Sequence, residues 1–170
     1  MSNVRRRKTP ILMQATPGFR LQVLAGEDIG VMRAMLAMFG EAFGERETYT
    51  RAQPDDFYLG QMLSNRAFIA IAALSGAEVV GGLAAYMLPK FEQARTEIYI
   101  YDLAVDEIHR RMGIATAMIE ELKRLAHRRG VYVIYVQADP GDEAAIALYT
   151  KLGVREDVLH FDIAPAKGGA

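Results

Sequence analysis

The chain has 170 residues, enough for one compact domain with a real core and too few for two of ordinary size. With 51% hydrophobic and 24% charged residues and a formal net charge of -1, its composition is globular, no apolar run approaches the ~20 residues of a membrane span, and nothing draws it globally to nucleic acid. Zero cysteines exclude disulfides, thiolate metal sites and a cysteine nucleophile. The expectation is a cytoplasmic protein with neither a membrane nor a nucleic-acid partner, because no signal-peptide core is legible.

In chain order, residues 1–18 carry a basic cluster, Arg5, Arg6, Arg7 and Lys8, in a stretch broken by Pro10 and Pro17; this reads as an arm ahead of a single domain, 19–163, with 164–170 as a loose tail. FRLQVL alternates as a first strand. Met32, Met35, Leu36, Phe39 and Phe43 then recur at helical spacing, with Glu27 and Asp28 at the positive end of the helix dipole. TYTRAQPDD reads as a loop closed by Pro54, with a short helix from near Asp55. FIAIAAL and VVGGLAAYML form a hairpin over Ser75 and Gly76. IYIYDLAV is a further strand, and Ile114, Met118, Leu122, Leu125 and Ala126 line a helix that Gly130 closes. VYVIYVQAD, a helix opened by Pro140, Gly141 and Asp142, and a last strand over REDVLHFDI complete the order β, α, α, β, β, β, α, β, α, β. The fold class is α/β, a mixed sheet flanked by helices.

HRRMGIA, residues 109–115, lies where a strand gives way to a helix. A helix entry offers unpaired N–H groups and a dipole that favour an anion, Gly113 and Ala115 keep bulk away, and Arg110, Arg111 and Thr116 add donors. A plain helix start with solvated arginines explains the same residues. The stretch is neither a P-loop nor GxGxxG. Asp102 is the sharpest carboxylate, since it interrupts a strand otherwise fit for burial, where an unpaired charge is costly; it has either a salt-bridge partner or a task. The three histidines, His109, His127 and His160, show no metal spacing, so no metal is expected.

Leu103-Ala104-Val105 followed by Arg110-x-x-Gly113-x-Ala115 resembles the pyrophosphate motif Q/R-x-x-G-x-G/A of the GNAT superfamily of N-acetyltransferases, and the element order matches that family over Phe19 to Ile163. Within it, AAYMLPKFEQARTEIYIYDLAV, YVIYVQAD and ALYTKLG resemble the gentamicin-type aminoglycoside 3-N-acetyltransferases. The resemblance implies a GNAT-like fold, acetyl-CoA as cosubstrate, and direct transfer to an amine of an aminoglycoside, the 3-amino group, conferring resistance. It implies that main-chain amides of Leu103, Ala104 and Val105 meet the pantetheine arm, that Arg110, Arg111, Gly113, Ile114, Ala115 and Thr116 hold the diphosphate, and that Tyr149 protonates the thiolate. A polycationic acceptor calls for carboxylates, and Asp102, Asp139, Asp142 and Glu143 are the candidates, although Asp142 serves equally as a helix N-cap. Asp102 is the candidate base, with Glu97 or Glu92, acting through a water, as the alternatives. A polyamine, another small amine or a protein amine is the alternative acceptor, and a ligand-binding module without chemistry is the non-enzymatic reading. Edge strands and the terminal HFDI segment predict a homodimer.

Overall fold

The computed structural model describes residues 18–165, so the basic cluster at 5–8 and all but the first two residues of the expected tail lie outside it. The described residues fall into two compact units, divided between Val136 and Gln137. The first unit is a five-stranded sheet in sequence order: β1 (Arg20–Val23), β2 (Phe68–Ser75), β3 (Glu78–Pro89), β4 (Thr96–Val105) and β5 (Val133–Val136). The first four strands pair antiparallel, and β4 and β5 are parallel. The β2–β3 hairpin turns as expected, with Ser75 opposite Glu78 and Gly76 at φ +59° supplying the left-handed step of a two-residue turn.

Between β1 and β2 run α1 (Ile29–Phe43), α2 (Arg46–Thr50) and α3 (Asp56–Ser64). The methionine stripe is core: Met32, Met35, Met38 and Phe39 are buried with Leu59 and Leu63 of α3 against Phe68, Ala70, Ala72 and Leu74 of β2. Asp28 precedes α1 but does not cap it; its carboxylate accepts from Gln22 Nε2 and the Ala25 amide, at 2.9 and 2.8 Å. Asp55 caps α3 by accepting from the Tyr58 amide at 2.8 Å. Alternate residues of the same strands point to the opposite face. There α4 (Ile114–Arg128), which links β4 to β5, buries Ile114, Met118, Ile119, Leu122, Leu125 and Ala126.

Two adjacent glycines of β3 let helices close on both faces. A Cβ on Gly81 would lie 2.9 Å from Ile114 Cγ2, and one on Gly82 would lie 2.6 Å from Met35 Cγ. Both contacts are too short to tolerate, so the start of α4 and the middle of α1 sit where only hydrogen fits.

The second unit holds α5 (Glu143–Leu152), capped by Asp142, whose carboxylate accepts from the Ala145 amide at 3.0 Å. The expected last strand over REDVLHFDI is a correction: residues 154–163 have no strand, and Val154 and Ile163 are 96% and 90% exposed. Alternating apolar side chains fit a strand, but a strand exists only where a neighbour completes its ladder. A second correction is local. TYTRAQPDD is not loop throughout, because α2 forms over Arg46–Thr50.

Candidate functional site

The ladder between β4 and β5 runs from Glu97↔Val133 to Ile100↔Val136 and stops, while β4 continues on β3 as far as Val105. Leu103, Ala104 and Val105 therefore follow the point where the parallel pair parts, and all three are half-buried. A 3-10 turn at Glu107–His109 comes next, tied to the sheet by the Asp106 amide donating to Val80 O at 3.0 Å and by His109 Nδ1 against Asp106 Oδ2 at 2.9 Å.

The chain then turns sharply. Arg111 takes φ +66°, uncommon for a residue with a side chain, and Gly113 takes φ +82° as the residue before α4. No side chain caps α4, so the amides of its first turn point out of the helix without a side-chain partner. A Cβ on Gly113 would meet nothing within 4 Å. The space above the turn is open, and the helix dipole adds positive potential there. Arg110 Nε donates to Val105 O at 3.2 Å, which folds this arginine back over the end of β4. Ile114 is buried and anchors the turn, whereas Ala115 and Thr116 are half-buried. Main-chain donors and small residues, with two arginines in the same turn, are the kinds of group that hold a diphosphate.

The second feature lies on β4 itself. Ala84 faces Asp102 and Ala85 faces Ile100, so Tyr101 is an extra residue, a β-bulge. In a regular strand Tyr101 and Asp102 would point to opposite faces. The bulge turns both to the α1 side, where Tyr101 packs edge-on against Tyr86 and Tyr99, with centroids 5.7 and 5.9 Å apart, and Tyr49 Oη of α2 donates to Asp102 Oδ1 at 3.1 Å. Register places Phe68, Tyr86, Tyr99 and Tyr135 in one row across four strands, and Tyr101, 62% exposed, stands over its middle.

Asp102 is half-buried among these rings. Burial raises its carboxyl above the ordinary range, and the Tyr49 hydrogen bond partly opposes the rise. The expected alternatives for Asp102 were a salt bridge or a task; its partner is a neutral phenol, not an arginine. Burial likewise holds the Tyr49, Tyr86 and Tyr99 phenols above their usual value. Glu97 is the second residue of β4, five residues before Asp102, and its carboxylate is 3.5 Å from Lys90 Nζ. It does not join the Asp102 cluster.

The remaining candidates belong to the second unit. Asp139 and Glu143 are exposed, and Asp142 is engaged as the α5 cap. Tyr149 is half-buried on α5, its phenol pushed up to about 12 by burial first and by Asp142 second. His160 contacts Gln137 Oε1 and Asp162 Oδ1 at 3.2 and 3.1 Å. Sequence reasoning missed Tyr49 and Tyr101. The signal for Tyr101 was its place beside a carboxylate in a run of β-formers; Tyr49 had none, since it meets Asp102 only in three dimensions.

The model of the acetyltransferase (GNAT) family matches residues 32–154, and the chain belongs to that family. Enzymes of this family transfer an acetyl group from acetyl-CoA. The structure is similar to that of an aminoglycoside acetyltransferase from an uncultured soil metagenomic sample, with TM-score 0.85 and 57% identity over 87% of this chain and 99% of the other. A second soil-metagenome aminoglycoside acetyltransferase, solved in complex with sisomicin, gives TM-score 0.79 and 28% identity over 87% and 97%. In sequence, the [ribosomal protein bS18]-alanine N-acetyltransferase of Escherichia coli K12 is 32% identical over 73 residues, 43% of this chain. The chain spans about half (49%) the length of that curated relative. Among the described residues, no helix is long and apolar enough to cross a membrane.

Proposed function

We propose that this enzyme acetylates an amine of an aminoglycoside, the 3-amino group, and that Asp102 is the base. The observation that carries the reading is a half-buried carboxylate presented by a bulge on a tyrosine-lined face, on the strand that leads into the turn at Gly113, where no side chain caps α4. The likeness to aminoglycoside acetyltransferases over 87% of the chain supports the acceptor class. A polycation is drawn to an anion, and sugar rings lie flat on phenol faces such as Tyr101.

In the transfer, the acceptor nitrogen forms a bond to the thioester carbonyl carbon, the carbon–sulfur bond breaks, and the nitrogen loses a proton. Asp102 takes that proton, and the rise that burial gives its carboxyl makes it the stronger base. Main-chain amides of Leu103 to Val105 donate toward the carbonyl oxygen as it gains charge. Gly113, Ile114, Ala115 and Thr116 hold the diphosphate by main-chain amides, with Arg110 and Arg111 adding charge. Tyr149 donates a proton to the thiolate and regains one from solvent, while Asp102 releases the amine proton to solvent; a phenol near 12 is protonated throughout the working range. Asp139 and Glu143 are proposed as further anchors for acceptor ammonium groups. The enzyme is proposed to be cytoplasmic and to assemble as a homodimer, the latter resting on the exposed apolar alternation at Leu159, Phe161 and Ile163.

The bS18-alanine acetyltransferase match favours a second acceptor, the N-terminal amine of a protein. One assay separates the two. The purified chain is incubated with acetyl-CoA and, in parallel, gentamicin-type aminoglycosides, spermidine or an alanine-terminated peptide, following free thiol, with the acetylated nitrogen located by NMR. Turnover confined to the peptide ends the aminoglycoside reading.

A further inference from the structure

We infer that Tyr49 is a positioning residue for acetyl transfer: it holds one oxygen of Asp102 so that the other faces the acceptor amine. The inference rests on Asp102 as the base. Tyr49 sits on a five-residue helix, too short to hold itself, yet its ring is fixed from several sides. The rings of Phe39 and Phe43 lie 5.9 and 5.8 Å away. Gly40 of α1 allows the helices to close, a Cβ there falling 3.4 Å from Tyr49 Cβ. The Tyr49 carbonyl accepts from Gln53 Nε2 at 3.1 Å, and Gln53 Oε1 accepts from Arg33 Nη1 at 3.0 Å. Arg33 in turn pairs with Asp56 Oδ1 at 2.6 Å and donates to Pro54 O at 3.0 Å. A polar clamp joining α1, α2 and α3 thus sets the place of one phenol.

That phenol donates to Asp102 Oδ1 at 3.1 Å, across 53 residues of sequence. A carboxylate on a strand rotates about its terminal bond; a fixed donor on one oxygen removes that freedom and leaves Oδ2 for the acceptor. The same bond favours the ionised form, the form in which Asp102 works as a base, against the burial that disfavours it. Tyr49 gives up no proton in this scheme, because burial and Asp102 together hold its phenol well above the ordinary range.

The test is Tyr49→Phe beside Asp102→Asn. Tyr49→Phe keeps the ring, its packing and the backbone clamp, and removes only the hydroxyl. With a donor to the anion lost, Asp102 holds its proton to higher pH, so the acid limb of kcat/KM moves up. We expect kcat to fall about tenfold at neutral pH, as for a lost hydrogen bond to a charged group, with KM for acetyl-CoA unchanged. Wild-type kcat and acid limb in Tyr49→Phe, alongside collapse in Asp102→Asn, overturn the role of Tyr49 and leave Asp102 standing. Full activity in Asp102→Asn removes the base itself. Should Tyr49→Phe not fold, Gln53→Ala is read instead: a lower kcat with a raised acid limb supports the inference, and a wild-type profile overturns it.

Discussion

The turn at Gly113 and the cluster at Asp102 lie at and beyond the end of one strand, β4, but they are made of different material. In the proposed function the turn works through main-chain amides and needs of its side chains chiefly that they be small, and the cluster works through one carboxylate and the rings around it. Backbone sites therefore fail through conformation, and side-chain sites fail through chemistry. Four substitutions press on that distinction.

The largest effect is expected at Asp102. Asp102→Asn keeps shape and loses the proposed base, so turnover should fall about 10²–10⁴-fold with little change in KM for acetyl-CoA, measured by thiol release. A rise in that KM instead would merge the two regions. Next is Gly113→Val. Because a Cβ there meets nothing, any loss comes from the left-handed backbone at φ +82°, which a β-branched residue resists. KM for acetyl-CoA should rise about tenfold with kcat less affected, and Arg110→Ala should follow in the same direction by a smaller factor.

Tyr101→Ala tests the ring surface. Loss of one stacked ring predicts a KM for the aminoglycoside raised about 3- to 10-fold, with acetyl-CoA kinetics unchanged. The smallest effect is on stability, and it runs the other way. Folding raises the Asp102 carboxyl, so the folded state holds that proton more tightly than the unfolded chain, and stability falls as pH rises through the ordinary value to the raised one. At pH 7.5 the wild type carries the full cost of a desolvated anion and Asp102→Asn does not. The variant should melt higher at pH 7.5, and its advantage should shrink as pH approaches 3, as read from thermal unfolding curves.

The two regions also differed in legibility. The turn could be read from Arg110-x-x-Gly113-x-Ala115, because main-chain geometry at a helix entry leaves its mark in small residues and in a glycine where φ must be positive. The core helices and the β2–β3 hairpin were legible through apolar period and a Ser-Gly turn. Asp102 stood out as a charge in an apolar strand, but its company did not. A bulge is a register event between two strands, and nothing local in IYIYDLAV marks Tyr101 as the extra residue. Tyr49 escaped because a five-residue helix is shorter than the window in which helical period shows. The last strand was overread, since LHFDI carries the alternation of a strand without the neighbour that would make it one.

The supernumerary residue at Tyr101 constrains how this enzyme family member can change. Deleting Tyr101 would restore a regular pleat with Ile100 and Asp102 still opposite Ala85 and Ala84, so Tyr99 and the acid would keep their faces and only the ring over the middle of the row would be lost. Loss of a residue is therefore absorbed at this one position, whereas a deletion elsewhere in the paired part of β4 would carry the side chains beyond it to the other face.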